Sequence, residues 1–132
     1  MSSIIQIGLI GAGTVGSGVV SLLEKNRDLI LQKTGINIIL KSICDIKIDS
    51  MQHKLPNVVY TGDWREVVTD PAIQIIVELI GGTQPAFSII TEALRAGKHV
   101  VTANKKLLAE KGRSIFETAD ACNKTIGFEA SV

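Results

Sequence analysis

Apolar and polar positions follow two alternating patterns along this chain. Short, nearly unbroken apolar runs are typical of strands buried on both faces of a parallel sheet, and they occur at residues 4–10, 36–46 and 73–80. Between the first two runs, apolar residues recur at helical spacing from Thr14 onwards, and Gly35 offers the left-handed conformation that ends a helix. The chain is therefore predicted to open as a strand, a helix and a second strand.

Shorter signals continue this alternation. The remaining strands are predicted at residues 58–60, 99–102 and 125–131. The remaining helices are predicted at residues 89–94, from a cap at Asn104 to about 111, and around 115–122. Asp63 and Glu66 have the spacing of a capping box, in which each side chain bonds the backbone N–H of the other, so a short helix should begin there. The order predicts an α/β fold, a doubly wound parallel sheet of about six strands, in one Rossmann domain over residues 1–132.

Composition and net charge limit the classes of molecule that the chain is expected to bind. The chain has 132 residues, 45% of them hydrophobic, and 14 basic against 13 acidic side chains leave a net charge of +1. The sequence has no basic stripe of the kind that binds nucleic acid, and no secretory signal or membrane span. Cys44 and Cys122 lie far apart in apolar contexts, so we expect reduced thiols and the cytoplasm as the compartment.

A glycine motif stands where the first strand turns into the first helix. Gly11, Gly13 and Gly16 have the spacing Gly-x-Gly-x-x-Gly, which suits a tight turn, close approach of a pyrophosphate, and close packing of helix on strand. Thr14 and Val15 would then offer backbone N–H groups in the first helical turn. The motif predicts a dinucleotide site, and the alternative is that the glycines serve packing alone.

An acidic residue closes the second predicted strand. A carboxylate at this place, here Asp45, takes the ribose hydroxyls of the adenosine half of a dinucleotide. It would repel a 2′-phosphate, so it favours NAD over NADP, although Lys47 two residues later could offset its charge. The alternative is a surface aspartate at a strand end.

Two further segments follow strands at the edge of the sheet where ligands bind. Gly81 and Gly82 would let the backbone approach a ribose or the nicotinamide, and the alternative is a turn into a helix capped by Thr83. After the next strand, residues 102–105 bring Thr102, Asn104 and Lys105 to the same edge. The lysine could hold a polar substrate or a carboxamide, or be simply solvated.

Other polar residues carry weaker signals. Glu78 lies inside an apolar strand, so its burial requires a partner, which the sequence does not identify. His53 and His99 lack partners at metal-ligand spacing, so structural roles are expected.

Four segments recur together in one known family. In chain order they are GLIGAGTVGSGVV (8–20), ELIGG (78–82), GKHVVTANK (97–105) and FEASV (128–132). In this order they resemble the homoserine dehydrogenases, and the last two are far more specific than the glycine motif.

The resemblance implies the cofactor-binding domain of an NAD(P)-dependent oxidoreductase that interconverts L-homoserine and L-aspartate 4-semialdehyde, a step towards threonine, methionine and isoleucine. By position, Thr14 and Val15 would contact the cofactor, and Lys105 would lie beside the nicotinamide and substrate in a catalytic role. Glu129 and Val132 match part of a loop that binds sodium in the family.

In that family the pattern continues after Val132 with a Gly-Gly-x-Pro segment and a substrate domain. That domain carries the main acid/base lysine and the homodimer contacts. We therefore expect the 132 residues alone to bind dinucleotide weakly and to be catalytically inactive. The alternative is a standalone nucleotide-binding module with a redox-sensing or regulatory role.

Overall fold

A computed structural model of the chain describes residues 3–11, 14–45, 57–80 and 82–128, with the backbone alone for 14–20, 22–24 and 128. Its strands are β1 (Ser3–Ile10), β2 (Ile36–Cys44), β3 (Val59–Thr61), β4 (Ile75–Glu78), β5 (His99–Thr102) and β6 (Ile126–Phe128). Its helices are α1 (Thr14–Thr34), α2 (Trp64–Val68), α3 (Ala86–Arg95) and α4 (Lys105–Ala121).

The strands form one parallel sheet in the order β3-β2-β1-β4-β5-β6. This is the strand order of the doubly wound dinucleotide-binding fold, so the predicted α/β Rossmann architecture is confirmed. Because β1 and β4 are neighbours without being consecutive, the winding direction reverses between them. In such sheets, ligands bind in the crevice at this switch point, beyond the carboxyl ends of the strands.

Apolar side chains cover both faces of the sheet. Successive strand residues point to opposite faces, so Ile10 and Leu9 belong to different clusters. The larger cluster joins Ile10 to buried residues of α2, α3 and α4, and the smaller one joins Leu9 to Ile43. Burial on both faces explains the nearly continuous apolar runs in the sequence.

Gly8 in β1 lets α2 lie close to the sheet, a role that is not evident from the sequence pattern. A Cβ atom built on it would lie 2.3 Å from Cγ1 of Val67 and 3.1 Å from Cδ1 of Ile73. The register of β1 against β2 also shifts here, which leaves Lys41 as an extra residue in β2. The Lys41 ammonium group binds the carboxylate of Asp70 at 2.5 Å.

The long helix α4 corrects one prediction. Two helices were expected, one ending near Lys111 and one around residues 115–122, but α4 continues without a break through Gly112. Leu107, Ile115 and Ala119 are buried at helical spacing on one face, so packing holds the helix together across the glycine. An isolated glycine lowers helix propensity but does not stop a helix.

The predicted start of α2 is half correct. Asp63 caps the helix, because its Oδ1 accepts a hydrogen bond from Arg65 N at 3.0 Å. The reciprocal bond of a capping box is absent, since Asp63 N donates to the hydroxyl of Thr61 and that hydroxyl donates to Glu66. Thr61 therefore stands between the two ends of the expected box.

Candidate dinucleotide-binding site

Gly11 occupies the switch point between β1 and β4. Its φ is +95°, and a Cβ atom built on it would lie 2.9 Å from Ile80 N and 3.0 Å from the carbonyl carbon of Leu79. Its N–H donates to Cys44 O at 2.8 Å, which fixes the turn against β2. A side chain is therefore excluded by both conformation and space, as expected of the first glycine in a dinucleotide motif.

The N-terminus of α1 follows this turn. The helix begins at Thr14, as predicted, and its first turn holds no acidic residue. The first N–H groups of a helix lack partners within it, and its dipole favours an anion at this end. Val15 and Gly16 lie in the first turn, whereas Gly13 lies outside the described residues. Their contacts with a ligand stay predictions.

Carboxylates surround the carboxyl end of β2. Asp45 follows the strand, and its N–H donates to Thr61 O at 3.1 Å. Burial raises the pKa of the neighbouring Cys44 thiol to about 11, with further contributions from the negative charges of Asp45, Asp63 and Glu66. These three carboxylates therefore place negative charge near the end of β2. Lys47, which could offset it, lies outside the described residues.

Glu78 at the end of β4 is fully buried, and the structure identifies partners for it. Its Oε1 accepts a hydrogen bond from the hydroxyl of Thr102 at 2.6 Å, and its Oε2 accepts from Ile80 N at 2.8 Å. Glu78 and Thr102 are paired residues in the register of β4 and β5. The sequence placed Glu78 inside the predicted strand 73–80 and Thr102 at the end of the next predicted strand, so the pair became visible only with the observed strand ends and register.

Asn104 continues this set of contacts. Its N–H donates to the hydroxyl of Thr102 at 3.0 Å, and its Oδ1 accepts from Leu107 N at 3.0 Å, which confirms it as the cap of α4. Its Nδ2 donates to Gly82 O at 2.6 Å. The connection from β4 to α3 is thus bonded to the start of α4.

Thr83 does not cap α3, contrary to the alternative considered from the sequence. The residue at the cap position is Pro85, which has no side-chain capping bond. The Thr83 hydroxyl instead donates to Oε2 of Glu110 at 2.8 Å, because α4 runs alongside the connection.

Some of the predicted site residues are placed only in part. Lys105 is exposed at the first position of α4, at the ligand-binding edge of the sheet. Gly81, Glu129 and Val132 lie outside the described residues, so their predicted contacts with cofactor or sodium stay predictions. Ile80, which carries no functional signal in the sequence, is 40% exposed beside Gly11.

Within the described part of the chain, no group of three or more His, Cys, Asp or Glu side chains could hold a metal ion. The same residues include no helix that is long and apolar enough to cross a membrane. The predicted structural role of His99 agrees with its position, since its Nδ1 accepts from Thr125 N at 3.2 Å, between β5 and β6.

Comparison with known proteins identifies the family. The family model for the homoserine dehydrogenase NAD-binding domain matches residues 11–129. The chain belongs to this family. The glycine turn at Gly11 and the described strands and helices that follow it lie within the matched range.

Individual homoserine dehydrogenases resemble the chain over almost its whole length. The enzyme of Neisseria gonorrhoeae is 39% identical over 97% of this chain, and that of Bacillus subtilis is 36% identical over 97%. The chain covers 29% and 30% of these two proteins, respectively.

Solved structures give the same result for the fold. The homoserine dehydrogenase of Thiobacillus denitrificans superposes with a TM-score of 0.91 at 38% identity, over 100% of this chain and 31% of that one. The Staphylococcus aureus enzyme at pH 7.5 superposes with a TM-score of 0.88 at 36% identity, over 100% of this chain and 33% of that one. The homoserine dehydrogenase NAD-binding domain therefore corresponds in fold as well as in sequence.

Proposed function

We propose that the chain binds a nicotinamide dinucleotide in the crevice between the carboxyl ends of β1 and β4. It would serve as the cofactor-binding domain of an enzyme that interconverts L-homoserine and L-aspartate 4-semialdehyde. The observation that carries the proposal is Gly11, whose positive φ and contact with the backbone of Ile80 leave no room for a side chain beside the N-terminus of α1. A pyrophosphate needs this kind of bare backbone and helix end.

Different residues at the site would bind different parts of the cofactor. The first turn of α1 offers N–H groups to the pyrophosphate. Asp45 accepts bonds from the adenosine ribose at the end of β2, while Gly82 and Lys105 lie on the β4 side, where the second half of a dinucleotide binds. The bound cofactor supplies the hydride chemistry, and the chain supplies position and electrostatics.

The rest of the reaction belongs to the part of the relatives that the chain does not span. In this proposal that part provides the substrate pocket, the main acid/base lysine and the homodimer contacts, and it completes a sodium site begun by Glu129 and Val132. The isolated 132 residues would then be catalytically inactive. Reduced cysteines favour the cytoplasm as their compartment, and the balanced charge disfavours a nucleic-acid partner.

NAD is the proposed preference over NADP. The carboxylates of Asp45, Asp63 and Glu66 all act on the thiol at the end of β2, so a 2′-phosphate on the adenosine ribose would enter a negative field. Replacing Asp45 with Ala should weaken NADH binding and lower the ratio of NADH to NADPH affinity. Asp28→Ala, which removes an exposed carboxylate from α1, is the matched control. An unchanged ratio in Asp45→Ala would contradict the preference.

Calorimetric titration with NADH and NADPH tests the binding function itself. Gly11→Ala should weaken binding roughly tenfold or more, because the added methyl group forces the backbone away from Ile80. Gly97→Ala is the matched control, since Gly97 also has a positive φ (+85°) but meets nothing within 4 Å and precedes β5 at the opposite edge. Binding of neither nucleotide at millimolar concentration would overturn the function, as would unchanged binding in Gly11→Ala.

A further inference from the structure

Three buried side chains from three elements hold the connection between β4 and α3. Glu78 ends β4, Thr102 ends β5, and Asn104 caps α4; their exposed fractions are 0%, 0% and 7%. The Thr102 hydroxyl joins the other two, because it donates to the carboxyl group of Glu78 and accepts from Asn104 N. We call these residues the Glu78–Thr102–Asn104 network.

The network bonds the connection at two backbone atoms. Glu78 accepts from Ile80 N at 2.8 Å, and Asn104 donates to Gly82 O at 2.6 Å. The first bond uses the N–H donor of Ile80 and the second uses the carbonyl acceptor of Gly82. The network therefore holds the backbone at the residues before and after position 81. Leu79, the first residue of the connection, is still bonded to β1 through Ile10 O at 2.8 Å. Beyond it, backbone groups in a non-repetitive segment depend on side-chain bonds of this kind for a fixed position.

This segment forms one side of the crevice. Ile80 N is the atom nearest to the position of a Cβ on Gly11, at 2.9 Å. A displacement of the segment would therefore change the separation of its backbone from the glycine turn. In doubly wound sheets the adenosine half lies over the β2 side of the switch point, and the second half lies over the other side. The segment borders that second half.

We propose that Glu78, Thr102 and Asn104 are positioning residues that hold Ile80 and Gly82 in place for the nicotinamide half of the cofactor. This role rests on the proposed dinucleotide binding. Thr102 and Glu78 act through the backbone that they hold, because their side chains have no exposed surface with which to meet a ligand. Adenosine recognition, at Asp45 and the end of β2, lies on the other side of Gly11 and does not depend on the network.

The test separates the two halves of the ligand. Thr102→Val keeps the shape of the side chain but removes the hydroxyl that joins Glu78 to Asn104. We expect NADH to bind roughly tenfold more weakly, whereas ADP, which lacks the nicotinamide half, should bind within about twofold of its original affinity. Thr102→Ser should restore NADH binding, because it restores the hydroxyl.

Thr91→Val is the matched control. Thr91 is also buried, but its hydroxyl donates within α3 to the carbonyls of Phe87 and Ser88. The control should lose a hydroxyl bond without changing the affinity for either nucleotide. A general loss of stability would therefore appear in both variants, and a selective loss of NADH affinity only in Thr102→Val.

A second variant, Asn104→Ser, tests the positioning role if Thr102→Val does not fold. Serine is a good helix cap, so Asn104→Ser keeps the bond to Leu107 N but loses the amide that donates to Gly82 O. The same selective loss of NADH affinity is expected. Equal losses for NADH and ADP, or no loss for NADH, would overturn the positioning role. If the unchanged chain bound ADP but not NADH, or neither, the dinucleotide function itself would fail.

Discussion

Replacing Gly8 with Ala should destabilise the fold through a single steric contact. The added Cβ would lie 2.3 Å from Cγ1 of Val67. Carbon atoms in favourable contact are about 3.5–4.0 Å apart, so the overlap is about 1.2–1.7 Å. Val67 is buried in the short helix α2 and its β-branched side chain has few alternative rotamers. Relief therefore requires α2 to move away from the sheet.

The expected size of the effect follows from this geometry. Overpacking of a dense core costs about 1–3 kcal/mol, and a contact this short against a stiff side chain should lie near the upper end of that range. For a domain of this size, each kcal/mol lowers the melting temperature by about 3–5 °C, so we expect a decrease of roughly 10 °C. Urea denaturation followed by circular dichroism would give the free energy of unfolding directly.

The same substitution elsewhere in the chain provides the control. Gly112 lies inside α4, and a Cβ on it would meet nothing within 4 Å. Gly112→Ala should therefore stabilise the chain by about 0.5–1 kcal/mol, because alanine has the higher helix propensity. Glycine-to-alanine changes at Gly8 and Gly112 are thus expected to change the free energy of unfolding in opposite directions.

A double-mutant cycle isolates the contact. Val67→Ala alone leaves a small cavity and should cost about 1–3 kcal/mol. In the Gly8→Ala background, Val67→Ala removes the clashing methyl group. The double variant should therefore lose about 1–3 kcal/mol less stability than the sum of the two single losses. Additive effects, or a stabilising Gly8→Ala, would refute the proposed contact between β1 and α2.

Two further predictions concern ionisable groups. The hydrogen bond from Lys41 lowers the pKa of the Asp70 carboxyl below its usual range, so its contribution to stability is complete above about pH 4–5 and disappears as the pH falls through the lowered pKa. Asp70→Asn should reduce stability at neutral pH and flatten the acid dependence measured by urea denaturation at pH 3–7; an unchanged profile would contradict the Lys41 pair. The raised pKa of Cys44, about 11, leaves about one thiolate in a thousand at pH 8, and the side chain is buried. An aromatic disulfide reagent should therefore label Cys44 only after unfolding, and fast labelling in the native state would contradict its burial.

Features that depend on short stretches of sequence were predictable. The double-sided apolar runs identified β1 and β2, and Gly35 ends α1 with a φ of +72°. Asn104 was identified as the cap of α4 because capping needs only a side-chain oxygen and N–H groups two or three residues later. In each case the physical cause lies within a few residues of its effect.

Predictions failed where a partner from elsewhere changed the outcome. The hydroxyl of Thr61 takes the bonds that would have closed the capping box at Asp63. Glu110 in α4 binds Thr83, which was considered as a cap for α3. The break expected in α4 near Gly112 is overridden by packing of its buried face. Local preference is a weak guide when a tertiary contact is worth as much as the local bond.

The two sides of the crevice also differ in whether their cause is local in the sequence or depends on a distant partner. The glycine turn at Gly11 was recognisable because its requirement is conformational and shows in the sequence as a missing side chain. The opposite side depends on Glu78 and Thr102, which are 24 residues apart in sequence and pair only because β4 and β5 are neighbours with matched ends. Once the strand order is known, an acidic residue at one strand end beside a threonine at the next indicates a buried bond. The bond from Ile80 N to Glu78 lies on that strand end, so the position of Ile80 opposite Gly11 depends on strand order as well as on the glycine turn.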